Sequence, residues 1–206
     1  MNDIIFDKKY TFLYRDKYNE QCNCQQCVLF RNQFSTKYQE VVKFLSQYGI
    51  NVDFPLEIMD IGIDDKTLKR GYIVYYAVKG QLPKEKMNTT VGNVDITMRN
   101  DIVANEAYSN TDMQTPFFII ELSNIALDDN ENVLREAVDT GREIEFSYNG
   151  QHFFESRNND NDWYIYCEET KETQHFSSAQ ELIENSILQG KNINELWEQI
   201  SLECIL

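Results

Sequence analysis

From Gln25 to Tyr48, apolar side chains return every three or four positions, at Cys27, Phe30, Phe34, Tyr38, Val41, Leu45 and Tyr48. A helix of 3.6 residues per turn lines these up as one stripe, so the spacing predicts a long amphipathic helix. Gly49 follows where a left-handed residue would end it. Strand signals surround it. Tyr10-Thr-Phe-Leu-Tyr14 is aromatic and β-branched and reads as a strand, before the polar break Asn19-Glu-Gln-Cys-Asn-Cys24. Pro55 turns the chain at Asp53-Phe-Pro-Leu-Glu-Ile-Met into a short helix or extended piece, and polar residues fill Asp64 to Arg70. Three further strands are expected at Gly71-Tyr-Ile-Val-Tyr-Tyr-Ala-Val78, Val91-Gly-Asn-Val-Asp-Ile-Thr-Met98 and Pro116-Phe-Phe-Ile-Ile-Glu-Leu122. The first and third are nearly continuous apolar runs, which suits strands buried on both faces or central in a sheet. One long helix over about four strands is an α+β layer.

Asp128-Asp-Asn-Glu-Asn132 has no apolar residue and marks the boundary between an α+β domain, 1–128, and a second domain, 130–206. The second begins with a short helix, Asn132 to Gly141. Next comes the sharpest local signal in the chain, Asn149-Gly150 between the alternating runs Glu143-Ile-Glu-Phe-Ser-Tyr148 and Gln151-His-Phe-Phe-Glu155. A two-residue hairpin loop sets Phe146 opposite Phe153 and Ser147 opposite His152. One face then carries Ile144, Phe146, Tyr148 and Phe153, and the other Glu145, Ser147, His152 and Phe154. Trp163, Ile165 and Cys167 share a face of a third strand, and Thr173-Gln-His-Phe176 forms a fourth. Ser178 with Glu181 and Asn192 with Glu195 form two capping boxes. They predict two closing helices, Ala179–Asn185 and Ile193–Ile200, whose Leu182, Ile183, Leu196, Trp197 and Ile200 cover the sheet.

Composition changes the picture through its charge. The chain has 206 residues and net charge −15, yet 1–128 carries 17 acids against 14 bases while 129–206 carries 17 against 5. A concentrated charge of −12 repels nucleic acid and membrane surfaces and steers basic partners, where an even spread would only aid solubility. No apolar run approaches the roughly 18 residues that span a bilayer. The opening MNDIIFDKKY has acids where a signal peptide needs basic and then apolar residues, so a soluble, cytoplasmic protein is expected. Five cysteines without an export signal suggest reduced thiols and a metal rather than a disulfide framework.

Cys22-Asn-Cys-Gln-Gln-Cys27 places three thiols where a loop enters the long helix. The helix N-terminus favours thiolates, and the last pair has the C-x-x-C spacing of a zinc knuckle. Zinc with a distant or solvent ligand, a thiol-redox role, and plain packing of Cys27 with the other two in the loop all fit this pattern. Cys167 and Cys204 look structural. Enzyme signatures are sparse: two histidines, with His152 placed to pair with Glu145, and no G-x-S-x-G, P-loop or H-E-x-x-H. The acid groups Glu168-Glu169 and Asp60, Asp64 and Asp65 are of a kind that arises by chance among 34 acids. No catalytic residue is assigned, and the protein is expected not to be an enzyme.

Tyr72, Tyr75, Tyr76, Tyr108, Tyr148, Tyr164 and Tyr166 exceed what a small core needs, and exposed tyrosine flanked by acids suits a grip on a basic protein. Cys22-Asn-Cys-Gln-Gln-Cys27, Phe44-Leu-Ser-Gln-Tyr-Gly-Ile50 and Phe117-Phe-Ile-Ile-Glu-Leu-Ser-Asn-Ile125 together resemble uncharacterised Gram-positive bacterial proteins, including immunity proteins encoded beside polymorphic toxins. Glu143 to Gly150 through Gly190-Lys-Asn-Ile-Asn-Glu-Leu-Trp197 is similar to small acidic modules of Firmicutes and their phages. The resemblance implies a bacterial or phage source and a neutralising role. The expected function is therefore a non-enzymatic inhibitor of immunity type that holds a basic toxin or nuclease through Glu143, Glu145, Glu168, Glu169, Tyr148, Tyr164 and Tyr166. Two alternatives stand beside it: a phage-type DNA mimic directed at a host defence nuclease, and a metal-dependent enzyme whose cysteine or carboxylate groups converge in a pocket.

Overall fold

The computed structural model describes residues 4–14, 21–64, 66–100 and 113–206. Tyr108, Asp65, Asn19 and Glu20 lie outside them. The protein is mixed α and β, 44% strand against 27% helix, as expected of an α+β chain. Two compact units divide it, 1–62 with 71–127, and 63–70 with 128–206. No helix among the described residues is long and apolar enough to cross a membrane.

The first unit opens with β1 (Ile5–Phe6) and α1 (Lys8–Leu13). Here the expected strand at Tyr10–Tyr14 is instead helical. Asp7 caps the turn by accepting from the Tyr10 amide at 2.8 Å, and buried Thr11 donates its hydroxyl back to the Asp7 carbonyl. A side-chain cap at the N-terminus thus outweighs aromatic strand preference. The long helix is two, α2 (Gln25–Lys37) and α3 (Gln39–Gln47), broken at Tyr38, where φ is −117° and ψ 48°. The Tyr38 hydroxyl both donates to the Ala126 carbonyl and accepts its amide at 2.9 Å, an anchor that no helical periodicity reports. All seven stripe residues are nonetheless buried. Gly49, at φ +84°, closes α3 by donating to Ser46 while Ile50 donates to Leu45, the pairing of a Schellman end.

Six strands form the first sheet: β1, β2 (Glu57–Asp64), β3 (Lys69–Gln81), β4 (Lys86–Val91), β5 (Val94–Asn100) and β6 (Phe117–Asp128). They run in the order β1-β3-β6-β5-β4, with β2 also on β3. The single strand expected at Val91–Met98 is a hairpin that turns at Gly92-Asn93 and pairs Val91 with Val94. Tyr72, Val74, Tyr76 and Val78 of β3 and Phe118, Ile120 and Leu122 of β6 meet α2 and α3. Tyr75, Ala77 and Ile119 pack on the opposite face with Tyr14 and Leu56. Both apolar runs are therefore buried on two sides.

The first helix of the second unit is α4 (Asn130–Thr140), which ends at left-handed Gly141. Between β6 and α4 stands Asp129, buried and bound by Arg70 at 2.5 Å and by the Asn132 amide at 2.7 Å. The second sheet runs β10-β9-β8-β7-β13, from β7 (Ile144–Tyr148), β8 (Gln151–Asn159), β9 (Asp162–Cys167), β10 (Thr173–Phe176) and β13 (Ser201–Ile205). Asn149 and Gly150 turn the β7–β8 hairpin at φ +48° and +78°, and the register pairs Phe146 with Phe153 and Ser147 with His152. Helix α5 (Ala179–Asn185) is capped by the Ser178 side chain. A two-stranded ribbon follows, β11 (Ile187–Leu188) with β12 (Lys191–Asn192). The second closing helix is absent: Asn192 caps only a 3-10 turn at Ile193–Glu195, and the chain then enters β13. Leu182, Ile183, Leu196 and Ile200 still cover the sheet core, with Trp197 partly buried against it.

Candidate functional site

Strand alternation separates the two faces of the second sheet. Ile144, Phe146, Tyr148, Phe153, Trp163, Ile165, Cys167 and Phe176 form the core face beneath α4 and α5. Tyr148, expected at a binding surface, is 7% exposed and belongs to this core. Tyr72, Tyr75 and Tyr76 are buried in the first unit, where Tyr72 and Tyr76 donate their hydroxyls to the Gln26 and Val52 carbonyls.

The opposite face gathers the remaining candidates. Register sets Cys204, Glu145, Phe154, Tyr166 and Thr173 in one row across five strands, and Ser156, Tyr164 and His175 in the next. Phe154, Tyr164 and Tyr166 are half-buried. Ring centroids lie 6.3 Å apart for Phe154 and Tyr164, and 6.0 Å apart for Tyr164 and His175. Acids flank this strip. Glu145 is exposed, and half-buried Glu143 accepts from the Ser156 hydroxyl at 2.7 Å. Glu168 and Glu169 are exposed in the turn after β9, where Glu169 accepts the His152 amide at 2.8 Å. That amide holds the Glu169 carboxyl below its ordinary value. The Asn158 side-chain amide, and then His175, do the same for Asp162. Hydrogen bonds to the ionised form thus keep both carboxylates charged.

Both histidines lie on this face. His152 pairs with Glu203 at 3.3 Å rather than with Glu145, because β13, unforeseen in the sequence, brings Glu203 alongside. His175 pairs with Asp162 at 2.7 Å. A bulge between Leu202 and Cys204 in the pairing of β13 with β7 interrupts simple alternation at Glu203, so no local signal revealed its place. On the core face, Glu155 is fully buried, neither carboxyl oxygen has a hydrogen-bond partner among the described residues, and burial pushes its carboxyl up to about 8. Extending the Phe153 face by two residues reaches it.

Cys22, Cys24 and Cys27 also converge. Their sulfurs all lie within 4.8 Å of one another, so the three could hold a metal ion such as zinc. Cys24 is the N-cap of α2, Cys27 is buried in its first turn, and Cys22 and Cys24 are exposed. The Cys27 amide, then the Cys22 and Cys27 thiols, lower the Cys24 thiol, while burial pushes Cys27 up to about 12. Arg31 fixes the loop by donating to the Cys22 carbonyl at 2.8 Å and to the Asn23 side chain at 3.3 Å. Cys167 is buried in the second unit's core and Cys204 is half-buried on β13.

Elsewhere the candidate groups have local roles. Asp60 accepts the Gly62 amide within β2, and Asp64 accepts the amides of Lys66 and Thr67 in the turn that follows. A cavity of about 150 Å³ opens beside Phe153, Ile165 and Cys167, and its Gln174 amide is engaged with both backbone groups of Ile187. No protein-family model, curated protein or solved structure matches the chain, so a functional reading rests on its own residues.

Proposed function

We propose that the protein is a non-enzymatic binding protein of immunity type, whose second unit occupies a basic surface on a toxin or nuclease. One observation carries this reading: the outer face of the second sheet sets Phe154, Tyr164 and Tyr166 among Glu143, Glu145, Glu169, Asp162 and Glu203, in a segment of net charge −12. Aromatic side chains contribute contact area at little conformational cost, and a ring of acids accelerates encounter with a cationic partner. Among the bases of 129–206, Arg135 pairs with Glu131 at 3.0 Å and Arg157 with Asp160 at 3.2 Å, and Lys171 lies over the Tyr166 ring at 5.8 Å from its centroid. Tyr148 has no part in the contact.

The test starts from a partner purified after affinity capture on the full chain. Replacing Glu143, Glu145, Glu168 and Glu169 together by Gln removes four charges while leaving acceptors for Ser156 and the His152 amide. The expected result is an association rate about tenfold lower with an unchanged circular dichroism spectrum. An unchanged rate, or hydrogen-exchange protection confined to residues 1–127 of the full chain, would overturn the proposal.

A further inference from the structure

The cysteine cluster lies in the first unit, the docking proposal uses residues of the second, and the chemistry of the cluster is independent of that reading. We propose that Cys22, Cys24 and Cys27 form a three-thiolate site for a thiophilic d10 cation such as zinc, with one coordination position open to an outside ligand.

Spacing and geometry both favour three ligands over two. Cys22 is on the loop, Cys24 stands at the N-cap of α2 and Cys27 lies in its first turn, and the entry into the helix brings all three sulfurs within 4.8 Å of one another. In a tetrahedral site with Zn–S bonds of about 2.3 Å, sulfurs stand roughly 3.8 Å apart. Sulfurs already within 4.8 Å reach that spacing by side-chain adjustments of about an ångström or less. A thiol pair serving redox chemistry would leave the third sulfur without a task.

The surroundings suit the charge such a centre carries. Three thiolates on a divalent ion leave a net negative centre, which the unpaired amides of a helix N-terminus stabilise. Two tethers hold the loop in place, Arg31 to the Cys22 carbonyl and Asn23, and Gln21 to the Asp53 carbonyl at 2.8 Å. Buried Cys27 gives the site a rigid floor one turn from fully buried Phe30. The open position rests on exposure: Cys22 and Cys24 face solvent, where an outside ligand can reach the ion, and the group among the described residues consists of three cysteines. Structural zinc sites close with four protein ligands, whereas sites that bind or activate an outside group keep three.

Cobalt(II) is the probe, added to the reduced, metal-free full chain. The expected result is one equivalent bound, with thiolate-to-cobalt charge-transfer absorption in the near ultraviolet and the visible bands of four-coordinate geometry. Imidazole should then shift the visible bands by entering the open position. Cys24→Ser should lose the charge-transfer band, and Cys167→Ser and Cys204→Ser should keep it. A second readout avoids dependence on the folding of a variant: zinc added to the wild-type chain should protect Cys22, Cys24 and Cys27 together from iodoacetamide, as mapped by mass spectrometry. Absence of the charge-transfer band, its survival in Cys24→Ser, or protection of only two of the three thiols would overturn the site. Visible bands indifferent to imidazole would overturn the open position.

Discussion

Glu155 offers a quantitative perturbation. Register places it between Ile144 on β7 and Ile165 on β9, fully buried on the core face, with neither carboxyl oxygen hydrogen-bonded among the described residues. Desolvation is the main cause that raises its carboxyl from 4.5 to about 8, with the Glu143 charge adding to it and Arg157 opposing. Because the folded value lies above the unfolded one, the contribution of Glu155 to the stability of the second unit is fully present below pH 4.5. Stability then falls as pH rises through about 8, since the unfolded chain releases a proton that the fold retains. At about 1.36 kcal/mol per pH unit, partial titration in both states gives a loss of about 3 to 4 kcal/mol between roughly pH 5 and pH 8. That is a large share of the roughly 5–15 kcal/mol of a typical domain. Glu155→Gln should remove this slope, and Glu155→Leu, which fills the site with an apolar side chain, should exceed the wild type in stability at about pH 8. Urea unfolding followed by tryptophan fluorescence suits the measurement, because both tryptophans, Trp163 and Trp197, belong to this unit. Parallel pH dependence of wild type and Glu155→Gln would refute the reasoning.

Arg70→Ala should cost about 3–5 kcal/mol, because it leaves Asp129 buried without its cation; the same fluorescence assay reads it. Recovery of part of that loss in the double variant with Asp129→Asn would distinguish a stranded charge from lost packing. In the first unit, Phe30→Ala removes a fully buried ring stacked on Phe34 at 4.6 Å and should cost about 3–5 kcal/mol, measured by far-ultraviolet circular dichroism in urea.

Local chemistry was the legible part of this fold. Asn149-Gly150 determined a hairpin and its register because a left-handed pair of that kind admits one loop length. The stripe from Cys27 to Tyr48 named the buried residues correctly even though Tyr38 breaks the helix, since burial follows the stripe and the break follows a hydrogen bond to Ala126, 88 positions away. Misreadings came where a short-range device or a distant pairing prevailed. Asp7 turned an aromatic strand pattern into α1, and Gly92-Asn93 split one expected strand into a hairpin. The capping box at Asn192 started a turn that β13 cut short. For the candidate face, alternation placed Glu145, His152 and Phe154 together, and it also set Tyr148 with Ile144, Phe146 and Phe153 on the face that proved to be the core, so naming Tyr148 as a contact residue went against it. Glu203 was hidden because its position depends on the pairing of β13 with β7. The thiol cluster was visible at once, being contained within six consecutive residues.

The most direct test of the acidic-face account is the association rate of the purified partner as a function of sodium chloride concentration, for the wild type and for the Glu143, Glu145, Glu168, Glu169→Gln variant. Exposed charges are screened beyond a Debye length of about 10 Å at 0.1 M salt. The account predicts a wild-type rate that falls steeply with salt and a variant that starts lower with a shallower slope. Equal slopes, or a wild-type rate indifferent to salt, would contradict it.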